Sequence, residues 1–97
     1  MKKMERGYYV YVLYSEKDGK RYTGMCKDLG ERLDEHKKGK VKSTSGRLPL
    51  QLVYYEWCRY FKDAQRRERY LKSYYGKRYI KNRIQSFYSQ KLKKWKN

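Results

Sequence analysis

Acidic residues, proline, histidine and cysteine are all scarce in this 97-residue chain. Asp and Glu number 10 against 27 Lys and Arg, a formal charge of +17. No stretch approaches the roughly 18 apolar residues of a membrane span. The basic start, Met1 to Arg6, is not followed by an apolar segment of signal-peptide length. The two cysteines, Cys26 and Cys58, lie far apart and outside any CxxC pair, and His36 is the single histidine. That argues against a structural zinc site and fits a reducing, cytoplasmic setting, with nucleoid association as a further expectation. The composition implies neither a membrane nor a small-molecule cofactor.

What is abundant is positive charge and tyrosine. A surface at +17 attracts polyanions. Leu, Ile, Val and Phe make only 16 of 97 residues, below the roughly 20% under which a highly charged chain tends to disorder. Thirteen tyrosines offset that, because each ring is a large apolar body with one polar tip. The expectation is one folded domain over residues 1–84 with an aromatic core, and a basic C-terminal tail over 85–97.

Residues 8–14 are β-branched and aromatic, apolar on both faces, and read as a central strand. Asp18-Gly19 signals a hairpin, and Arg21 to Gly24 reads as the returning strand. Asp28 reads as a helix N-cap with Glu31 as its capping-box partner, the helix stopping at Gly39. Leu50 to Cys58 reads as a third strand. A second helix is expected from Asp63 to about Tyr75, closed by Gly76, and a third from Arg78 to about Tyr88. The order β-β-α-β-α-α is an α+β plan: a small three-stranded, mainly antiparallel sheet flanked by helices.

Three constellations follow. A two-residue turn at Asp18-Gly19 pairs Tyr11 with Cys26, and Tyr11 and Tyr22 then share one face of the sheet. Arg32 and His36, four apart, project from one stripe of the first helix; the plain alternative is a solvated face with His36 at a helix C-terminus. Ala64, Glu68, Leu71 and Tyr75 form the apolar stripe of the second helix, which places Glu68 toward the core. A carboxylate there needs either an ion-pair partner, Arg32 or another base, or a metal such as Mg²⁺. One carboxylate, one Arg, two phenols and one imidazole are together a set suited to phosphoryl chemistry.

Over roughly residues 7–84 the chain resembles the GIY-YIG nuclease family, most closely its small single-domain bacterial members. Tyr9-Val10-Tyr11 stands for the first motif and Tyr22-Thr23-Gly24 for the second, eleven residues apart. Tyr9 replaces the first glycine and Thr23 the isoleucine; Gly24 is kept. Arg32 follows Tyr22 by ten, His36 lies four further on, and Arg67 to Ser73 is similar to the family's metal-binding Glu helix. The resemblance implies a divalent-metal-dependent phosphodiesterase acting on DNA, using Mg²⁺ with Mn²⁺ as an alternative. Tyr11 would act as base or position the attacking water, supported by Tyr22. Arg32 would stabilise developing charge, His36 would orient Tyr11 or accept its proton, and Glu68 would hold the metal. Asn82 is a candidate for a polar residue some members carry near the end of the module. Ser43-Thr44-Ser45 stands where homing-enzyme members carry a second His.

Two basic groups, Lys37, Lys38, Lys40, Lys42 and Arg47, and then Lys77, Arg78 and Lys81 with Arg83, are expected to contact phosphates. No base-reading motif accompanies them, so low sequence specificity, a preference for branched, nicked or single-stranded DNA and a repair-related role are expected. Tyr88 and Trp95 are expected either to stack on unpaired bases or to pack on the domain. The rival reading is a nucleic-acid-binding module on the same fold without catalysis, with DNA or RNA as its ligand.

Overall fold

In a computed structural model that describes residues 7–96, and side chains as far as residue 93, three strands and four α-helices pack around one core. Strand β1 (Tyr8–Ser15) lies between β2 (Arg21–Cys26) and β3 (Leu50–Cys58), and both pairings are antiparallel. The strand apolar on both faces is thus the central one, as its composition requires. The expected third strand is reproduced residue for residue.

The hairpin register differs from expectation by two residues. Tyr11 pairs with Gly24, and Cys26 pairs with Tyr9. The loop is longer than a two-residue turn: Ser15 N–H donates to the Lys20 carbonyl, and Gly19 N–H donates to that of Ser15. A shift of two preserves side-chain parity, so Tyr11 and Tyr22 do share a face.

Helix α1 (Leu29–Lys37) starts where its cap dictates, with the Asp28 carboxylate accepting from Glu31 N–H. The second helix does not run to Tyr75. Helix α2 (Phe61–Lys72) ends at Ser73, which also caps α3 (Tyr74–Arg83) by accepting from Gly76 N–H. Gly76 closes nothing: it sits buried in the first turn of α3, against α2. A Cβ there would lie 1.9 Å from the Tyr70 carbonyl oxygen, so only glycine lets the two helices meet. The expected third helix is in turn two, because the backbone breaks at Ile84 and resumes as α4 (Gln85–Lys96). Phe87 and Tyr88 of α4 pack on the core, and Arg21 donates to the Tyr88 hydroxyl, so Tyr88 is a packing residue. Trp95's side chain lies outside the described residues.

The centre of the core is aliphatic, with Tyr8, Tyr54, Phe87 and Tyr88 partly buried around it. Val10 and Val12 on one face of the sheet meet Ala64, Leu71, Ile80 and Ile84 from the helices. Of the tyrosines only Tyr11 is fully buried, on the opposite face. That face is covered by α1 and by the segment that follows it, which includes a short 3₁₀ turn (Ser45–Arg47). The turn is pinned to the hairpin: Arg47 Nε donates to Asp18 at 2.6 Å, and Ser15 Oγ donates to the Arg47 carbonyl at 2.7 Å. Arg47 is committed to that clamp, which holds the Asp18 carboxyl down at about 2.

Two substitutions test this packing. Leu71→Ala is expected to cost about 2–5 kcal/mol, read by urea unfolding. Gly76→Ala should lower the melting temperature measurably, while Gly46→Ala, where an added Cβ meets nothing within 4 Å, should leave it almost unchanged.

Candidate active site

The sequence places a phenol, an imidazole and a guanidinium on two elements, and the structure brings them into one line. Tyr11 projects from the middle of β1, and His36 from the last turn of α1, where it is 1% exposed rather than solvated. The Tyr11 hydroxyl lies 2.8 Å from His36 Nε2. On the other side of the imidazole, Nδ1 lies 2.7 Å from Thr44 Oγ1, in the buried stretch after α1. Arg32 Nε donates to the Tyr11 oxygen across a long 3.4 Å contact, and its Nη1 donates to Glu35 at 3.0 Å.

The two ends of this line set its direction. Arginine only donates, so the Tyr11 oxygen accepts from Arg32 and its proton is left for His36 Nε2. A carbonyl only accepts, so Thr44 directs its hydroxyl proton to the Val41 carbonyl at 3.5 Å and receives Nδ1–H from His36. The neutral tautomer with its proton on Nδ1 satisfies every member, and no buried side-chain polar atom among the described residues lacks a partner.

Electrostatics agree. Burial holds the His36 pKa below its ordinary 6.5, with the Arg32 charge acting in the same direction. Burial pushes the Tyr11 phenol up to about 12 against the Arg32 hydrogen bond, which lowers it. Cys26, whose Cβ shares this face, is pushed up by burial to about 11 and is not a nucleophile at neutral pH.

Gly24 explains itself here. A Cβ at that position would lie 2.5 Å from the Tyr11 hydroxyl oxygen, so the strand beside Tyr11 must carry glycine. Tyr22, two residues earlier, completes an aromatic triangle: its ring centroid is 6.4 Å from Tyr11 and 5.4 Å from His36. Tyr22 is half-buried.

Glu68 stands apart from this line. It is half-buried on α2 and pairs with Lys72 at 3.1 Å, not with Arg32. Tyr75 does not share its stripe, since it belongs to α3 and is exposed. A cavity of about 480 Å³ along the edge strand is lined by Tyr22 and Thr23 together with Leu71, Lys72 and Lys77. It sets Tyr22 and Lys72, the ion-pair partner of Glu68, along the same edge of the sheet. Among the described residues no three His, Cys, Asp or Glu side chains cluster. A lone carboxylate is nonetheless a donor set that suits Mg²⁺, which often takes one or two carboxylates and completes its shell with water and phosphate oxygens.

The basic residues divide. Lys38 pairs with Asp34 at 2.8 Å, and Lys37, Lys40 and Lys42 are exposed beside the His36 end of α1. Lys77, Arg78, Lys81 and Asn82 are exposed on α3, which covers the opposite face of the sheet. The structure does not join the two groups into one surface, and Asn82 is not part of the Tyr11 cluster. Thr44 is the residue that motif spacing does not reveal. Its signals are its place in the Ser43-Thr44-Ser45 stretch and the chemistry of a buried imidazole, which needs a partner on both nitrogens.

A three-stranded antiparallel sheet carries a tyrosine on each strand of a hairpin, and Arg and His lie on the helix that follows. The pattern of the GIY-YIG catalytic domain matches residues 7–85, and this chain belongs to that family. Its relatives include UPF0213 protein CPE1444 of Clostridium perfringens, 43% identical over 65 residues that span 66% of this chain and 69% of the relative. A UPF0213 protein of Staphylococcus saprophyticus is 36% identical over 76% of this chain and 90% of its own length. Among solved structures, the UPF0213 protein BH0048 of Bacillus halodurans is 35% identical, covering 76% of this chain and 81% of that one, with a TM-score of 0.49. Among the described residues no helix is long and apolar enough to cross a membrane.

The buried imidazole makes a testable pH signature. Its folded pKa lies below the unfolded value, so the unfolded chain binds more protons between the two. The stability from neutral His36 is complete above about pH 6.5 and is lost as pH falls through the folded value. Melting temperatures measured between about pH 5 and 7 should fall with acid in the wild type. In His36→Gln the dependence over that range should be flatter.

Proposed function

We propose that this protein is a Mg²⁺-dependent endonuclease that hydrolyses DNA phosphodiester bonds with little sequence preference. The observation that carries the reading is the line of hydrogen-bonding groups from the half-buried Arg32 through the buried Tyr11 and His36 to Thr44. A solitary structural tyrosine would not need an imidazole held in one tautomer behind it.

In this reading Arg32 lies across the Tyr11 hydroxyl until a phosphate arrives. Turning its guanidinium onto a phosphoryl oxygen delivers positive charge where negative charge develops and uncovers the phenol. Tyr11, held mostly protonated at neutral pH by its raised pKa, takes a proton from the attacking water while passing its own to His36 Nε2. The resulting imidazolium is disfavoured by burial and by Arg32, so it returns its proton to the Tyr11 oxygen, which releases the proton taken from water to the leaving oxygen or to solvent. Tyr22 steadies both rings from the edge strand. Glu68, released from Lys72, would hold the metal, which supplies charge stabilisation at the phosphate and leaving oxygen. Mn²⁺ would serve in place of Mg²⁺.

Lys37, Lys40 and Lys42, beside the same end of α1, would seat the phosphate backbone without reading bases. A surface of this kind suits branched, nicked or single-stranded DNA, repair-related work and a place in the cytoplasm near the nucleoid.

A second reading is a nucleic-acid-binding module without cleavage, with RNA as an alternative ligand. One observation favours it: Tyr11 is wholly buried while Glu68 is held by Lys72.

A nicking assay on supercoiled plasmid separates the two. With Mg²⁺ the wild type should nick, Tyr11→Phe should lose roughly 10²–10⁴-fold, and Glu68→Ala should lose cleavage while retaining binding. Thr44→Val should lose roughly 10–100-fold, the range seen when a partner that orients a histidine is removed, and Thr44→Ser should recover most of it. Tight, salt-sensitive binding with no nicking by the wild type would select the second reading.

A further inference from the structure

Helix α3 carries an aromatic face that neither the core nor the Tyr11 site uses. Its buried residues, Gly76 and Ile80, lie on one side of the helix. At 100° per residue, Tyr74, Tyr75, Arg78 and Lys81 fall on the opposite side, with Tyr79 at its border. Tyr74 and Tyr75 are 68% and 69% exposed, with ring centroids 5.3 Å apart, and the Arg78 guanidinium lies 5.9 Å from the Tyr74 ring. The patch continues onto α2, where Tyr70 meets Tyr79 at 6.4 Å and Arg67 lies over both rings. Arg67 is anchored there by two hydrogen bonds to Glu56, so the rings beneath it are fixed.

So large an exposed aromatic area has a cost in water, and isolated exposure does not account for rings that touch. The geometry points to a docking surface for single-stranded nucleic acid on the outer face of α3, where Tyr74 and Tyr75 stack on unpaired bases while Arg78 and Lys81 meet the phosphates. Charge selects this occupant. Helix α3 contains no acidic residue, and the two acids of α2, Asp63 and Glu68, are both paired with bases on their own helix. A second copy of the chain would bring these cations against one another. A duplex keeps its base faces stacked and offers the rings nothing but its ends. The surface lies on the opposite side of the sheet from Tyr11, so the inference does not rest on cleavage.

The test is binding of a fluorescent thymidine oligonucleotide, and of a duplex of similar length, followed by anisotropy in EDTA. Without divalent metal the result is independent of nuclease activity. The double variant Tyr74→Ala with Tyr75→Ala should bind the single strand roughly tenfold or more weakly, with an unchanged salt slope and an unchanged duplex affinity. The corresponding Phe pair should bind like the wild type, because the stacking face is kept. Arg78→Ala with Lys81→Ala should instead reduce the salt slope by about 1.4, or about 0.7 for each phosphate that is no longer neutralised. Wild-type single-strand affinity in the Tyr→Ala pair would overturn the inference. Equal losses on single strand and duplex would overturn it as well. So would a change of sedimenting mass with single-strand binding intact, which would make the face a contact between copies.

Discussion

The arrangement of this molecule turns on a single buried imidazole. His36, Tyr11 and Thr44 are each 1% exposed or less, and each carries polar atoms that cost free energy in an apolar interior unless bonded. They satisfy one another, and that requirement reaches outward. Tyr11 needs glycine beside it at position 24. Thr44 has to be brought from a loop onto the sheet, where the Asp18–Arg47 and Ser15–Arg47 bonds fix the segment that carries it. His36 has to end a helix that starts at the Asp28 cap, because that cap sets which residue of α1 faces the sheet. One network thus links the hairpin, the first helix and the loop after it.

The sheet separates this polar work from ordinary packing. Val10 and Val12 turn to the aliphatic core under α2 and α3, while Tyr11 between them turns to the imidazole. Strand alternation assigns these opposite tasks to adjacent residues. Along the edge strand β2, Tyr22 lines one cavity together with Lys72 and Lys77.

Much of this was legible from residues alone, and the failures have physical reasons. The central strand, the capped helix and the shared face of Tyr11 and Tyr22 follow from local chemistry and period-two alternation, which survives a register error of two. The helix boundaries after Asp63 did not follow, because Gly76 reads locally as a terminator while tertiary packing uses it as a point of close approach between α2 and α3. The expected aromatic core is realised as a rim: six buried aliphatic side chains form the centre, and Tyr8, Tyr54, Phe87 and Tyr88, partly buried, pack against it. The burial of His36 and its contact with Thr44 are not legible from spacing, because both depend on a loop brought close by the fold.

The central claim is the direction of the hydrogen-bonded line, and the sole histidine in the chain makes it directly observable. Nitrogen-15 NMR of the imidazole reports which ring nitrogen carries the proton. The expected result at neutral pH is a neutral ring, protonated on Nδ1 and bare on Nε2, with a midpoint for imidazolium formation below the ordinary histidine pKa of about 6.5. A proton resting on Nε2, or a ring already charged at neutral pH, would contradict it, because the Tyr11 hydroxyl would then have no acceptor for its proton.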